Sequence, residues 1–174
     1  LTQFQPAIVC FSVHYTTVIF SEILTSQIKT LLPDTCIIWG GPYCFNAFGN
    51  LNNIINNIPE IDVVCTGDGD KDLPMMLHYF SQNGYWPTVN GYYIRAYNKN
   101  GLPENIGDTV GNISEIPFGD HSCCGYHSDL WKFIPVIASK GCVNRCTFCN
   151  ECKAYTKYQF RDPEIILQEI LFQR

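Results

Sequence analysis

Three short apolar runs, each ending in a small or glycine-rich turn, constrain this chain most. Pro6 to Val13, Thr35 to Trp39 and Ile61 to Thr66 are almost wholly apolar. Such runs suit strands covered on both faces, as in parallel sheets. Helical patterns separate them. Phe20, Ile23, Leu24, Ile28 and Leu31 recur at spacings of three and four, and Pro33 closes that helix. Leu51, Ile54, Ile55 and Ile58 mark a softer, Asn-rich helix over roughly Phe45 to Asn57. Leu73, Met76, Leu77 and Phe80 mark a third, opened by Asp70 or Asp72, with Pro74 tolerated in its first turn.

This alternation predicts an α/β fold with a doubly wound parallel sheet. Right-handed crossovers put all the strand C-terminal ends on one edge. That edge collects Ser12 and His14, Gly40-Gly41-Pro42, and Gly67-Asp68-Gly69-Asp70. Open α/β sheets bind ligands there, and glycine lets backbone approach a ligand closely.

From Asn90 the pattern changes. Gly91 to Tyr97 is β-prone, Asn98-Lys99-Asn100-Gly101 reads as a hairpin turn, and Leu102 to Ile106 as a returning strand. Ile113 to Asp129 reads as an irregular connector. Its His121-Ser122-Cys123-Cys124-Gly125-Tyr126-His127 segment is a poor metal site, because adjacent cysteines do not both face one tetrahedral ion. Phe133 to Ala138 is the next expected strand. Asp162-Pro163-Glu164 starts a last helix, with Ile166, Leu167, Ile170 and Leu171 as its buried side. Tyr155, Tyr158 and Phe160 read as packing residues.

After that strand comes Ser139-Lys140-Gly141-Cys142-Val143-Asn144-Arg145-Cys146-Thr147-Phe148-Cys149. Thiolates are the usual ligands of iron–sulfur clusters. Three close cysteines fix three irons of a cubane and leave the fourth open to a substrate. Other readings stand beside this one. Cys152 could complete a structural zinc site, although four ligands crowded into eleven residues fit zinc poorly. It could complete a ferredoxin-like electron-transfer cluster. The thiols could also hold no metal.

At Cys142, Cys146, Phe148 and Cys149 the chain resembles the radical S-adenosylmethionine (SAM) superfamily, whose signature is C-x3-C-x-aromatic-C. The resemblance implies a 4Fe-4S cluster on the three cysteines, with SAM chelated by the open iron and Phe148 near SAM. Reduction of the bound sulfonium would give methionine and a 5′-deoxyadenosyl radical. Lys140 and Arg145 would offset charge at the site. An electron donor such as flavodoxin or ferredoxin is implied. The upstream half resembles the cobalamin-binding domain of one large class of these proteins. By that resemblance Ser12, His14, Gly40, Gly41, Gly67, Asp68 and Gly69 surround the nucleotide tail and lower face of cobalamin. His14 is either a ligand of cobalt or simply a polar residue at a strand end.

The expected organisation is residues 1–85 as the C-terminal part of a flavodoxin-like cobalamin domain, 86–130 as hairpin and connector, and 131–174 as the first β/α unit of a TIM-type radical SAM barrel. The chain begins at Leu1 and stops at Arg174 inside a helical pattern, so it reads as a piece of a longer polypeptide, inactive alone. Methyl transfer is the favoured activity. Cyclisation or rearrangement, and a non-catalytic electron carrier, are the alternatives. A small molecule or peptide is the expected substrate.

Charge and composition exclude other classes. A net charge of −5 disfavours nucleic acid, since phosphate contact needs a basic face. No apolar run approaches a membrane span, and no secretory leader is visible. Ten cysteines in 174 residues fall below the density of a disulfide scaffold. Cys10, Cys36 and Cys65 lie inside apolar runs, where cysteine behaves as a small hydrophobe. A reducing, cytoplasmic and anaerobic setting is expected.

Overall fold

The computed structural model describes residues 3–45, 48–98, 112–119, 135–155 and 157–173. The chain divides into two compact units, Leu1–Val110 and Gly111–Arg174.

The first unit is a mixed α/β layer structure. β1 (Ile8–Ser12), β2 (Cys36–Gly40) and β3 (Val63–Cys65) pair in parallel in that order. The β-prone segment after Asn90 supplies a fourth strand, β4 (Tyr92–Ile94), antiparallel to β3. The sheet is therefore mostly parallel rather than wholly so. The turn and returning strand expected at 98–106 fall almost entirely outside the described residues.

Alternation along the strands sorts side chains onto two faces. Ile37, Trp39, Val64 and Tyr93 pack with α1 (Val18–Leu31) and α2 (Leu51–Asn57). Ile38, Val63, Cys65, Tyr92 and Ile94 pack with α3 (Asp72–Asn83) and Trp86. Helices thus cover both faces, as a doubly wound sheet requires.

The helices depart from expectation in instructive ways. On α1 the buried positions are Ser21, Thr25 and Ile28. Phe20, Ile23, Leu24 and Leu31 are exposed, so the buried stripe is rotated from the apolar one. Burial of the two hydroxyls is stabilised by hydrogen bonds: Trp39 Nε1 donates to Thr25 Oγ1 at 2.9 Å, and Ser21 Oγ donates to the Thr17 carbonyl. α2 begins at Leu51, not Phe45. Pro42–Cys44 form a 3₁₀ turn instead, and Gly49 takes a left-handed φ of 68° before the helix starts. The predicted apolar side of α2 is buried as expected. Arg95 closes its far end, donating to the carbonyls of Ile55, Ile58 and Ile61. α3 opens on Lys71 rather than on an aspartate, with Asp72 in its first turn, where a negative charge suits the helix dipole.

In the second unit, β5 (Ser139–Lys140) pairs antiparallel with β6 (Gln159–Phe160). Residues 135–138 are not strand; the strand starts where the cysteine loop is entered. α4 (Glu151–Ala154) follows the loop, and α5 (Pro163–Phe172) ends the unit. The start of α5 is as read, with Asp162 accepting from the Glu164 N–H. Its buried residue, however, is Glu169, while Leu167, Ile170 and Leu171 are about half exposed. A buried arginine draws the carboxylate inward, as shown below. Phe160, expected to pack, is exposed.

Candidate functional site

Two sets of residues carry the chemistry, one in each unit. In the first unit the β1 and β2 ends are tied together. The Val13 N–H donates to Gly40 O at 2.7 Å, and the Tyr43 N–H donates to Val13 O at 3.0 Å. Gly41 sits between them with φ 87° and ψ 178°, a backbone region open in practice only to glycine. A Cβ there would lie 2.8 Å from Val13 N. The fold itself therefore demands Gly41. His14 is exposed, its backbone fixed by reciprocal contacts with Thr17, and Ser12 is exposed beside it.

The β3 end lies deeper. Gly67 is buried and its carbonyl accepts from the Cys65 thiol at 3.2 Å. Gly69 has its Cα face on Leu73, the Tyr92 hydroxyl and the Cys65 sulfur. Desolvation pushes both the Cys65 thiol and the Tyr92 phenol above their usual ranges, so both stay protonated. Ser12, Gly40, Gly41, Gly67, Asp68 and Gly69 thus all fall at the C-terminal ends of the parallel strands.

The sequence reading passed over the aromatic residues at this edge. Tyr15 meets Tyr43 edge-on at 5.1 Å between centroids, and Phe48 at 6.1 Å. Asn50 Nδ2 donates to Tyr15 Oη and to Tyr43 O, both at 3.0 Å. Aromatic spacing around the Gly-Gly-Pro turn was the available signal. A separate groove of about 410 Å³, lined by Gln5 to Ala7 and Leu31 to Thr35, opens at the opposite edge of the sheet, away from these residues.

In the second unit, Gly141 launches the cysteine loop. Its φ is 79°, and a Cβ would stand 2.6 Å from Lys157 O. The chain after α4 therefore packs directly against the loop's first turn. Cys142, Cys149 and Cys152 are partly exposed and Cys146 is exposed, all as free thiols. The Asn144 N–H donates to Cys142 Sγ at 3.4 Å, and the Cys152 thiol donates to Cys149 O at 3.6 Å. Phe148 projects outward, 89% exposed. Among the described residues no three His, Cys, Asp or Glu side chains converge to hold a metal. The donor set nevertheless suits an iron–sulfur cluster: soft, unpaired, accessible sulfurs on one short loop. His121 to His127 lie outside the described residues.

Core cysteines behave differently. Burial, with Asp62 nearby, pushes the Cys36 thiol up to about 12, and burial raises Cys44 as well. Cys65 is buried as the sequence suggested, whereas Cys10 is exposed on β1.

No protein-family model matches the chain. Two curated proteins are similar to it, both anaerobic magnesium-protoporphyrin IX monomethyl ester cyclases. The one from Synechocystis sp. is 23% identical over 158 residues, covering 86% of this chain and 30% of that protein. The one from Cereibacter sphaeroides is 22% identical over 184 residues, covering 98% of this chain and 28% of that protein. This chain is a distant relative of those cyclases. It spans less than a third of their length. Among the described residues no helix is long and apolar enough to cross a membrane.

Proposed function

We propose that this chain is part of a radical SAM enzyme that works with cobalamin and closes a ring. The observation that carries the reading is the loop of free thiols, Cys142, Cys146 and Cys149, launched by a glycine at positive φ where an added Cβ would meet the Lys157 carbonyl. The similarity to proteins named as cyclases favours ring closure over the methyl transfer first expected.

Cys142, Cys146 and Cys149 would hold a 4Fe-4S cluster, which supplies one-electron reduction of SAM when bound. Flavodoxin or ferredoxin would be the electron source. Phe148, exposed between two of the cysteines, would cover SAM from water. Cys152, whose thiol donates to the Cys149 carbonyl at 3.6 Å, would stay outside the donor set. In the first unit, Ser12, His14, Gly40, Gly41, Gly67, Asp68 and Gly69 would cradle cobalamin at the strand ends.

The full-length polypeptide, reconstituted anaerobically, should bind iron and sulfide and release 5′-deoxyadenosine from SAM under reduction. Cys142→Ala should lose both. Iron without SAM cleavage would mark an electron carrier. Zinc, or no metal, would end the proposal. The relatives' named substrate, magnesium-protoporphyrin IX monomethyl ester, is the first to assay. A product carrying an added methyl group instead of a new ring would restore methyl transfer.

A further inference from the structure

Arg161 and Glu169 form an ion pair buried within the second unit. Arg161 Nη1 lies 2.5 Å from Glu169 Oε2, with the two side chains 1% and 6% exposed. Removal of two charges from water is costly, and such a pair persists only where geometry and further hydrogen bonds compensate. Here those bonds go to particular places. Arg161 Nη1 also donates to Ile137 O, and Nη2 donates to Ile116 O at 2.8 Å. The Arg161 backbone N–H donates to Ala138 O at 2.9 Å. Glu169 Oε1 accepts from the Gly119 N–H at 3.2 Å. The guanidinium also stacks over Phe118, 5.7 Å from the ring centroid.

Two of these acceptors, Ile137 O and Ala138 O, are the last carbonyls before β5, and β5 runs straight into Gly141 and Cys142. The Ala138 O bond is made by the Arg161 backbone and continues the β5–β6 pairing, while the guanidinium itself ties Ile137 O, at 3.4 Å, to the segment 116–119 and, through Glu169, to α5. Lysine cannot do this, because it offers a point charge without a planar fork.

We propose that the Arg161–Glu169 pair is the positioning device of the cysteine loop, setting where Cys142 stands relative to Cys146 and Cys149. The inference rests on the cluster reading for its purpose, and its test does not.

The test uses the full-length protein with both residues replaced, Arg161→Met with Glu169→Leu. Replacement of a buried pair by apolar groups of similar volume leaves a fold intact in known cases. Retention of the second unit is checked by circular dichroism and by hydrogen exchange in α5. In the iron-free wild-type protein, exposed Cys146 should alkylate several-fold faster than the partly covered Cys142 and Cys149. In the folded double variant these rates should converge to within about twofold. After reconstitution, the variant's reduced cluster should show a broadened and shifted electron-spin spectrum, and Arg161→Lys should not restore the wild-type one. Wild-type alkylation ratios in the folded double variant would overturn the proposal. If the double variant does not fold, Arg161→Lys, which retains the charge, decides by the same ratios. If the wild type takes up no iron, the cluster reading fails, and the alkylation ratios still decide whether the pair positions the loop.

Discussion

Substitution of Gly41 by alanine tests whether the β1–β2 end turn is held by backbone geometry. Alanine at φ 87°, ψ 178° carries a strain of about 1–3 kcal/mol. Its Cβ would press on Val13 N at 2.8 Å, and that N–H donates to Gly40 O. Loss of the bond adds about 1 kcal/mol. Restriction of the unfolded chain returns about 0.4–1 kcal/mol. The net cost is about 1–3.6 kcal/mol, centred a little above 2 kcal/mol. Gly84→Ala is the matched control in the same unit. Gly84 has φ 75° at the C-cap of α3, and nothing lies within 4 Å of its added Cβ. That variant bears the left-handed strain alone, for a net cost of about 1 kcal/mol. Urea unfolding followed by tryptophan fluorescence and circular dichroism should separate the two variants clearly. Losses equal within about 0.5 kcal/mol would refute the argument that contact, not just φ, fixes this turn.

Thr25→Val retains shape but leaves buried Trp39 Nε1 without its acceptor, so the first unit should lose about 1–3 kcal/mol by urea unfolding. Raised thiol and phenol groups in the folded first unit bind protons that the unfolded chain releases above pH ~9. Stability should therefore be level below that pH and fall as pH rises toward about 12, where Cys36 ionises. Cys36→Ala should flatten that slope in unfolding titrations at successive pH values. Gly141→Ala should displace the Lys157 carbonyl and reduce iron uptake severalfold, whereas Gly49→Ala, which meets nothing within 4 Å, should leave iron uptake unchanged.

Strands and their terminal turns were legible because uninterrupted apolar runs have few other homes. The α2 face was legible for the same reason. The α1 face was not. Periodicity locates an apolar stripe but not the surface it meets, and Thr25 is drawn inward by the indole N–H of Trp39. Charge in the second unit was no more legible. Arg161 and Glu169 carried no signal in the sequence, since nothing local reveals that the carbonyls at 116 and 137 await the guanidinium or that the Gly119 N–H awaits the carboxylate. The cysteine spacing was legible as chemistry. The demand for Gly141 comes from a carbonyl sixteen residues downstream, so spacing within the motif could not reveal it.

The division of sulfur between interior and loop has a practical consequence. Oxygen reaches Cys146 and its neighbours long before it reaches Cys44 or Cys65. Early damage in air therefore falls on the loop, and on exposed Cys10 of β1, as sulfenic acid or a disulfide, both reversible. A thiol reductant should recover iron-binding capacity after brief exposure while the sheet beneath Gly67 stays folded throughout.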